Sequence, residues 1–199
     1  MAGRRYDPDR RERLIDAAIR VVGRKGIAGL THRSVAAEAD VPLGSTTYHF
    51  ATLDELLVAA LRRLNEGFAA AVGAGIAPAG PDDGGEAPDL AEELARQLGR
   101  WLAGDPSGDR TGVELEYELY LAALRRPALR PVAAEWCEAV TALLARRTDP
   151  RTARALVALM DGLSLQVLLT GAPYDPGYVA DVLRRVLTGA GPPVPPEGG

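Results

Sequence analysis

With 199 residues and 47% apolar side chains, the chain is long enough to bury a core in one or two domains. Its single cysteine, Cys137, excludes an intramolecular disulfide framework and fits a reducing compartment. The Arg-rich N-terminus lacks the apolar stretch of a secretory signal, and no apolar run approaches the roughly 20 residues of a membrane span, so a soluble cytoplasmic protein is expected.

The net charge of −4 is unevenly spread. Residues 1–50 hold nine Arg or Lys against six Asp or Glu, a net of +3 that leaves −7 for the rest. A basic end on an acidic protein suits a phosphate-binding surface, although solvated basic faces share that composition.

In chain order, Leu14, Ile15, Ala18, Ile19, Val21 and Val22 recur at the spacing that gathers side chains on one helical stripe. They predict a first helix over 9–25, with Asp7 and Asp9 before it and Arg24, Lys25 and Gly26 closing it, as the helix dipole favours. After a loop over 26–30, Thr31 can cap a second short helix whose inward positions are Val35, Ala36 and Ala39. Asp40, Val41 and Pro42 break it, because proline cannot continue a helix, and a third short helix follows over 43–49. Two short helices across a tight turn form either a helix-turn-helix, whose second member enters the major groove, or an ordinary helical hairpin. Tyr48 and Phe50 are expected to pack in the small core of this head.

The combination Gly29-Leu30-Thr31, Val35-Ala36, Val41, Gly44-Ser45-Thr46, Tyr48-His49-Phe50 and Leu56-Leu57 resembles the tetracycline-repressor (TetR) family of bacterial transcription regulators. The likeness covers about the first quarter of the chain, and its motifs are specific in combination. It implies that Arg33 reaches a base edge from the second helix and that Leu43, Gly44, Ser45 and Thr47 face the groove from the third. Thr31, His32, Tyr48 and His49 would contact phosphates. The chemistry agrees, since Arg is the best bidentate reader of guanine and small residues allow close approach. The chain departs from the family pattern at Thr47, where tyrosine is common, and at Leu53, where lysine is common. Affinity then leans on Arg4, Arg5, Arg10 and Arg11, unless that arm is simply a solvated tail. His32 and His49 are the only histidines and have no Cys or His partner at ligand spacing, so no metal or other cofactor is expected.

Thr52 and Glu55 form a Thr-x-x-Glu box that opens a fourth helix, with Leu56, Leu57, Ala60, Leu64 and Phe68 on its buried side. Residues 73–88 are rich in Gly, Pro, Asp and Ala and read as a long loop. Five further helical segments follow. Leu90, Leu94, Leu98, Trp101 and Leu102 mark one, ended by a loop over 104–109. Thr111 and Glu114 cap the next, which carries Leu115, Tyr117, Leu119, Tyr120 and Leu124. Leu129, Val132, Ala133, Trp136, Val140, Leu143 and Leu144 mark the third. Asp149-Pro150 and Asp175-Pro176 start the last two, and the end from Gly189 reads as a frayed tail.

No strand pattern or repeat is visible. The expected fold is all-α, with a helix-turn-helix head over 1–51, a helical effector-binding and dimerisation domain over 52–188 and a tail over 189–199.

The penultimate helix is apolar on almost every side and must be buried all round. Either it is the central helix of a monomer or it packs against a second copy, with Gly162 and Ser164 letting backbones approach. In the second case Leu156, Leu159, Leu163, Val167, Val179, Val182, Leu183 and Val186 form a homodimer interface, as the family resemblance also implies. A dimer reads a pseudo-palindromic operator with two heads.

The resemblance further implies a small-molecule effector that releases the protein from its operator. Candidate walls for it are Phe68, Trp101, Tyr117, Tyr120, Trp136, Met160, Leu163 and Gln166, each of which plain core packing would explain as well. Of the carboxylates Glu114, Glu116 and Glu118 at least one is solvated, whereas Asp161, inside the apolar helix, needs a partner. No Glu-x-x-His motif, phosphate loop or Cys/His pairing suggests an enzyme. The remaining alternative is an effector-binding helical dimer that has lost DNA binding, for which Leu53 and Thr47 are the hints.

Overall fold

A computed structural model describes residues 9–75 (backbone alone for 67–75), 89–104, 108 and 110–189. Arg4, Arg5, most of the expected 73–88 loop, most of the 104–109 loop, the tail beyond Gly189 and the Phe68 side chain lie outside the described residues. All regular structure among the described residues is helical: α1 (Arg10–Lys25), α2 (His32–Glu38), α3 (Leu43–His49), α4 (Leu53–Gly75), α5 (Leu90–Leu102), α6 (Thr111–Ala122), α7 (Arg130–Leu144), α8 (Pro150–Thr170) and α9 (Pro176–Thr188).

The helix boundaries follow from local chemistry. Thr31 caps α2 by accepting from the Ser34 N–H at 2.9 Å while Ser34 Oγ accepts from the Thr31 N–H, so Ser34 completes the box where a Glu or Gln is usual. At α4, Thr52 Oγ1 accepts from the Glu55 N–H, and the Glu55 carboxylate reaches back one residue further, to the Ala51 N–H at 2.8 Å. Asp149 and Asp175 cap α8 and α9, each followed by proline in the first turn, where its missing N–H costs nothing. The expected Thr111 cap does not form: Thr111 is already helical, and Arg110 stands before it without a side-chain capping bond. Helix α4 continues through Gly75, two residues beyond the expected start of the loop.

The chain divides into two compact units. The first contains the residues up to Phe68 together with Gly104–Trp136, so the unit that holds the head runs past residue 51 and takes in α6 and the start of α7. Its core joins Leu14, Val21 and Val22 of α1, Val35 of α2, Phe50, Leu56, Leu57 and Leu61 of α4, Leu115 and Leu119 of α6, and Leu129 and Val132. Burial of each such Leu contributes about 1.5–3 kcal/mol of transfer free energy.

In the second unit, α5 and α9 make the most extensive helix pairing, and α8 packs on both. Arg147 Nη1 bonds to the buried Glu93 at 2.8 Å, and Arg184 bonds to Asp89, the cap of α5, at 2.6 Å. These ties hold the ends of α7 and α9 to α5.

Helix α8 departs from the expectation of burial on every side. Within one chain it covers only the face of Ala153, Leu156, Val157, Met160, Leu163 and Ser164. Ala155, Ala158 and Leu169 are exposed, Leu169 at 82%. The helix is also 21 residues long with a mean hydropathy of 1.4 over its most apolar stretch, enough by length and composition to cross a membrane, which corrects the sequence reading that no run comes close. One such helix is weak evidence for a membrane, because a core or interface helix has the same composition.

Between α8 and α9, Tyr174 lies over Gly99 and donates its hydroxyl to the Ala95 carbonyl at 2.5 Å. A Cβ on Gly99 would come within 2.6 Å of the ring, so glycine is required there for close approach. The variant Tyr174→Phe is expected to lose about 1 kcal/mol of stability, and Gly99→Ala about 1–3 kcal/mol, in denaturant titrations followed by circular dichroism. Burial raises the Tyr174 pKa to about 12, so its hydroxyl stays neutral in the fold while the unfolded chain ionises. Stability should therefore fall as pH rises above about 10, and less so in Tyr174→Phe.

Candidate nucleic-acid interface

The turn between α2 and α3 is shaped by Asp40, the only described non-glycine residue with positive φ, at 52°. There the Val41 N–H bonds to the Ala36 carbonyl at 3.0 Å and closes α2 in a tight C-terminal turn. Asparagine and aspartate tolerate that backbone better than other non-glycine residues, and Pro42 then opens α3. Thr46 is fully buried and bonds to the Leu43 carbonyl, which fixes the roll of α3 and turns its neighbours outward.

The outward set matches most of the residues proposed to meet DNA. Thr31, Arg33, Leu43, Gly44, Thr47 and Tyr48 are exposed, whereas His32, Ser45 and His49 are half-buried. Arg33 sits in the first turn of α2, and no ion pair among the described residues holds it. A Cβ on Gly44 would meet nothing within 4 Å, so packing within the chain does not require glycine there. Tyr48 is 78% exposed, which corrects the expectation that it packs in the core. It meets the His49 ring edge-on with centroids 5.1 Å apart, while Phe50, 2% exposed, is the aromatic anchor.

Several positioning residues carried no motif. Glu38, at the end of α2, binds Arg20 at 2.8 Å and also Arg24, both on α1. Arg13 donates to the Ala39 carbonyl at 2.8 Å, satisfying the C-terminus of α2. Glu118 of α6 accepts from the Ile27 N–H at 2.9 Å, which ties the turn after α1 to a helix some ninety positions on in sequence. A signal for the first cluster was present: Arg20 and Arg24 lie four apart on one face of α1, and Glu38 is the only acid in α2.

Residues 14–60 match the family described as bacterial regulatory proteins, tetR family, and residues 85–189 match the tetracyclin repressor-like C-terminal domain. The chain belongs to the TetR family. It is a DNA-binding transcriptional regulator of the effector-responsive kind. It is 68% identical to the multidrug binding protein EbrR in a complex with imidazole, with a TM-score of 0.79 over 95% of this chain and 98% of that one. A TetR-family member from Streptomyces coelicolor A3 is 69% identical, with a TM-score of 0.77 over 90% of this chain and 99% of that one. The nicotine-responsive transcriptional repressor HdnoR of Paenarthrobacter nicotinovorans is 29% identical over 85% of this chain and 88% of its own. TetR-family regulators bind operator DNA, form dimers, respond to small molecules and are generally not enzymes.

The proposed effector residues of this TetR-family chain fall in both units. In the first, Tyr117 is buried, and Tyr120 meets Trp136 edge-to-face with centroids 5.5 Å apart. In the second, Met160 and Leu163 are buried, Trp101 is half-buried and Gln166 is exposed. Two buried polar atoms there, Gln97 Nε2 on α5 and Ser164 Oγ on α8, have no hydrogen-bond partner among the described residues, and sequence pattern gave no sign of either.

Of the residues proposed for the dimer interface, Leu156 and Leu183 are 0% exposed, and Leu163 and Val179 are buried as well. These four are core of their own chain and have little or no surface left for a partner. Leu159, Val167, Val182 and Val186 are half-buried and retain some.

Hydrogen bonds from Arg20 and then Arg24 hold the Glu38 carboxyl below the usual carboxylate range. A lowered value means that its contribution to stability is present above the unfolded pKa and lost as pH falls through the folded one. Melting temperatures across pH should drop for the wild type below about pH 4.3, the ordinary glutamate value. The Glu38→Gln variant should be less stable at neutral pH and show a shallower acid decline.

Proposed function

We propose that the protein is a homodimeric repressor that binds a pseudo-palindromic operator and is released from it by aromatic cations. The observation that carries the DNA-binding part is the outward set of α2 and α3, in which no ion pair among the described residues holds Arg33, while the backbone beneath it is fixed by Thr46, Glu38 and the Asp40 turn. Arg33 reads a base edge, and Leu43, Gly44, Ser45 and Thr47 line the groove. Thr31, His32, Tyr48 and His49 contact phosphates. The protein has no catalytic role, and as an operator-binding protein it works in the bacterial cytoplasm, where the chromosome is.

The effector class rests on similarity and on chemistry. EbrR, about 70% identical, is known in complexes with ethidium, proflavin and malachite green. The edge-to-face Tyr120 and Trp136 pair supplies aromatic surface of the kind that attracts such cations.

Dimerisation is supported by the bare face of α8, on which Ala155, Ala158, Gly162 and Leu169 recur at helical spacing, with Tyr178 and Val182 on α9. Nothing lies within 4 Å of a Cβ placed on Gly162, which leaves room for a second backbone. This face replaces Leu156, Leu163, Val179 and Leu183 as the proposed contact surface.

Fluorescence anisotropy with DNA upstream of the gene tests the reading. Arg33→Ala should weaken operator binding by about 1–3 kcal/mol, and ethidium should weaken it by a coupling of about 1–3 kcal/mol. Indifference of a folded protein to both would overturn the proposal. Light scattering should give a dimer mass for the wild type and a monomer for Leu169→Glu combined with Gly162→Glu.

A further inference from the structure

A groove of about 320 Å³ in the first unit runs from the end of α3 along the first turns of α4. Its walls include Arg11, His49, Phe50, Thr52, Glu55 and Arg62. Arg11 lies in the first turn of α1, far in sequence from α3, yet its guanidinium sits 5.2 Å from the centroid of the Phe50 ring. Phe50 follows α3 directly and is itself buried, so the ring is a fixed platform rather than a mobile neighbour. An aromatic face under a guanidinium restrains the long side chain without neutralising it.

The charges around Arg11 are largely committed elsewhere. Its own carboxylate contact is the adjacent Glu12 at 3.3 Å, with both side chains about half exposed, and Glu12 is also bound by Arg63. Asp54 bonds to Arg126 at 2.6 Å, Glu55 accepts from the Ala51 N–H, and Arg62 faces Glu135 at 3.4 Å. Several other cations nearby are spent on internal bonds: Arg13 on Ala39, Arg20 and Arg24 on Glu38, and Arg63 of α4 on Glu12 and Asp16. Arg11 is therefore a pre-oriented, half-exposed positive charge beside His49, with the Thr52 hydroxyl in the same wall.

We propose that Arg11, held on Phe50, binds a DNA backbone phosphate at the edge of the surface formed by α3, so that α1 contributes a direct contact in each half-site. The proposal rests on the DNA-binding reading above and goes beyond it in deciding, from the seat of Arg11 on Phe50, between the phosphate contact and the solvated tail that the sequence leaves open for this residue. A phosphate contact adds affinity without sequence preference, because the phosphate carries no base information.

The test is a salt series of anisotropy titrations with the full-length dimer on operator and on unrelated duplex DNA. It compares the wild type with Arg11→Lys, Arg11→Gln and Arg11→Met, the last keeping apolar cover on Phe50. Each lost phosphate contact lowers the slope of log K against log salt by about 0.9, so Arg11→Gln and Arg11→Met should each lose about 1.8 for two half-sites. The loss should appear equally on both DNAs, and Arg11→Lys should keep the wild-type slope. Weaker binding with an unchanged slope would mean that Arg11 only supports Phe50 and would overturn the proposal, as would no change at all. A wild type that binds no duplex would instead remove the DNA-binding reading, and this inference with it.

Discussion

A helix of seven residues closes too few hydrogen bonds to offset the cost of its own nucleation, and the surface offered to DNA is made of two of them. What α2 and α3 present is therefore decided by what they lie on. Helix α1 supplies that support with two kinds of contact. Leu14, Val21 and Val22 bury one side of it against Val35 and Phe50, while Arg13, Arg20 and Arg24 take hold of the polar end of α2. The apolar contacts provide most of the free energy but little direction, since dispersion and burial tolerate small rotations. The guanidinium contacts to Glu38 and to the Ala39 carbonyl are directional and fix where α2 ends. Because α3 begins only a few residues later, across the Asp40 turn, fixing that end also sets the start of α3.

The same logic extends past the head. Glu118 accepts from the Ile27 N–H, which opens the short 3-10 turn after α1 and so has no partner within that turn, and Arg126 of the segment after α6 bonds to Asp54 at the start of α4. Both contacts couple an orphan or charged group of the DNA-binding part to residues more than seventy positions away. The head is thus completed by the chain that returns to it, which is why the compact unit that contains it includes α6. A change in α6 has a direct route to the turn that precedes α2.

Sequence pattern made the helices legible because helical burial has a period and helix ends have a chemistry. Thr31, Thr52, Asp149 and Asp175 each do what their side chains allow at a helix start. Thr111 shows the limit of that reasoning: a capping residue is also an acceptable first helical residue, and only the fold decides which position it takes. Pattern also marks a residue as apolar without saying what covers it. Leu156 and Ala155 are neighbours on α8, yet one is fully buried within the chain and the other exposed, so the two faces of an all-apolar helix could not be told apart. Tyr48 and Phe50 illustrate the same ambiguity in the head, two aromatics two residues apart with opposite fates. The Tyr120 and Trp136 contact, and the buried Gln97 Nε2 and Ser164 Oγ without a partner among the described residues, depend on distances between helices, about which a single sequence says little.

Net charge, finally, is a poor guide to how the head meets a polyanion. The first fifty residues carry +3, but Arg20 and Arg24 are engaged in ion pairs, and Arg13 serves a backbone carbonyl. An ion pair presents little field at a distance comparable with the screening length of about 10 Å, so these cations act on shape rather than on long-range attraction. Among the described cations, Arg33 in the first turn of α2 is held by no ion pair, and Arg11 on its aromatic platform shares one with the half-exposed Glu12. Both project from parts of the head that other bonds hold still, and a fixed backbone lowers the ordering entropy that any binding event costs. A chain that is acidic as a whole can therefore still present a basic face, because what matters is which cations stay accessible and how firmly their backbones are fixed.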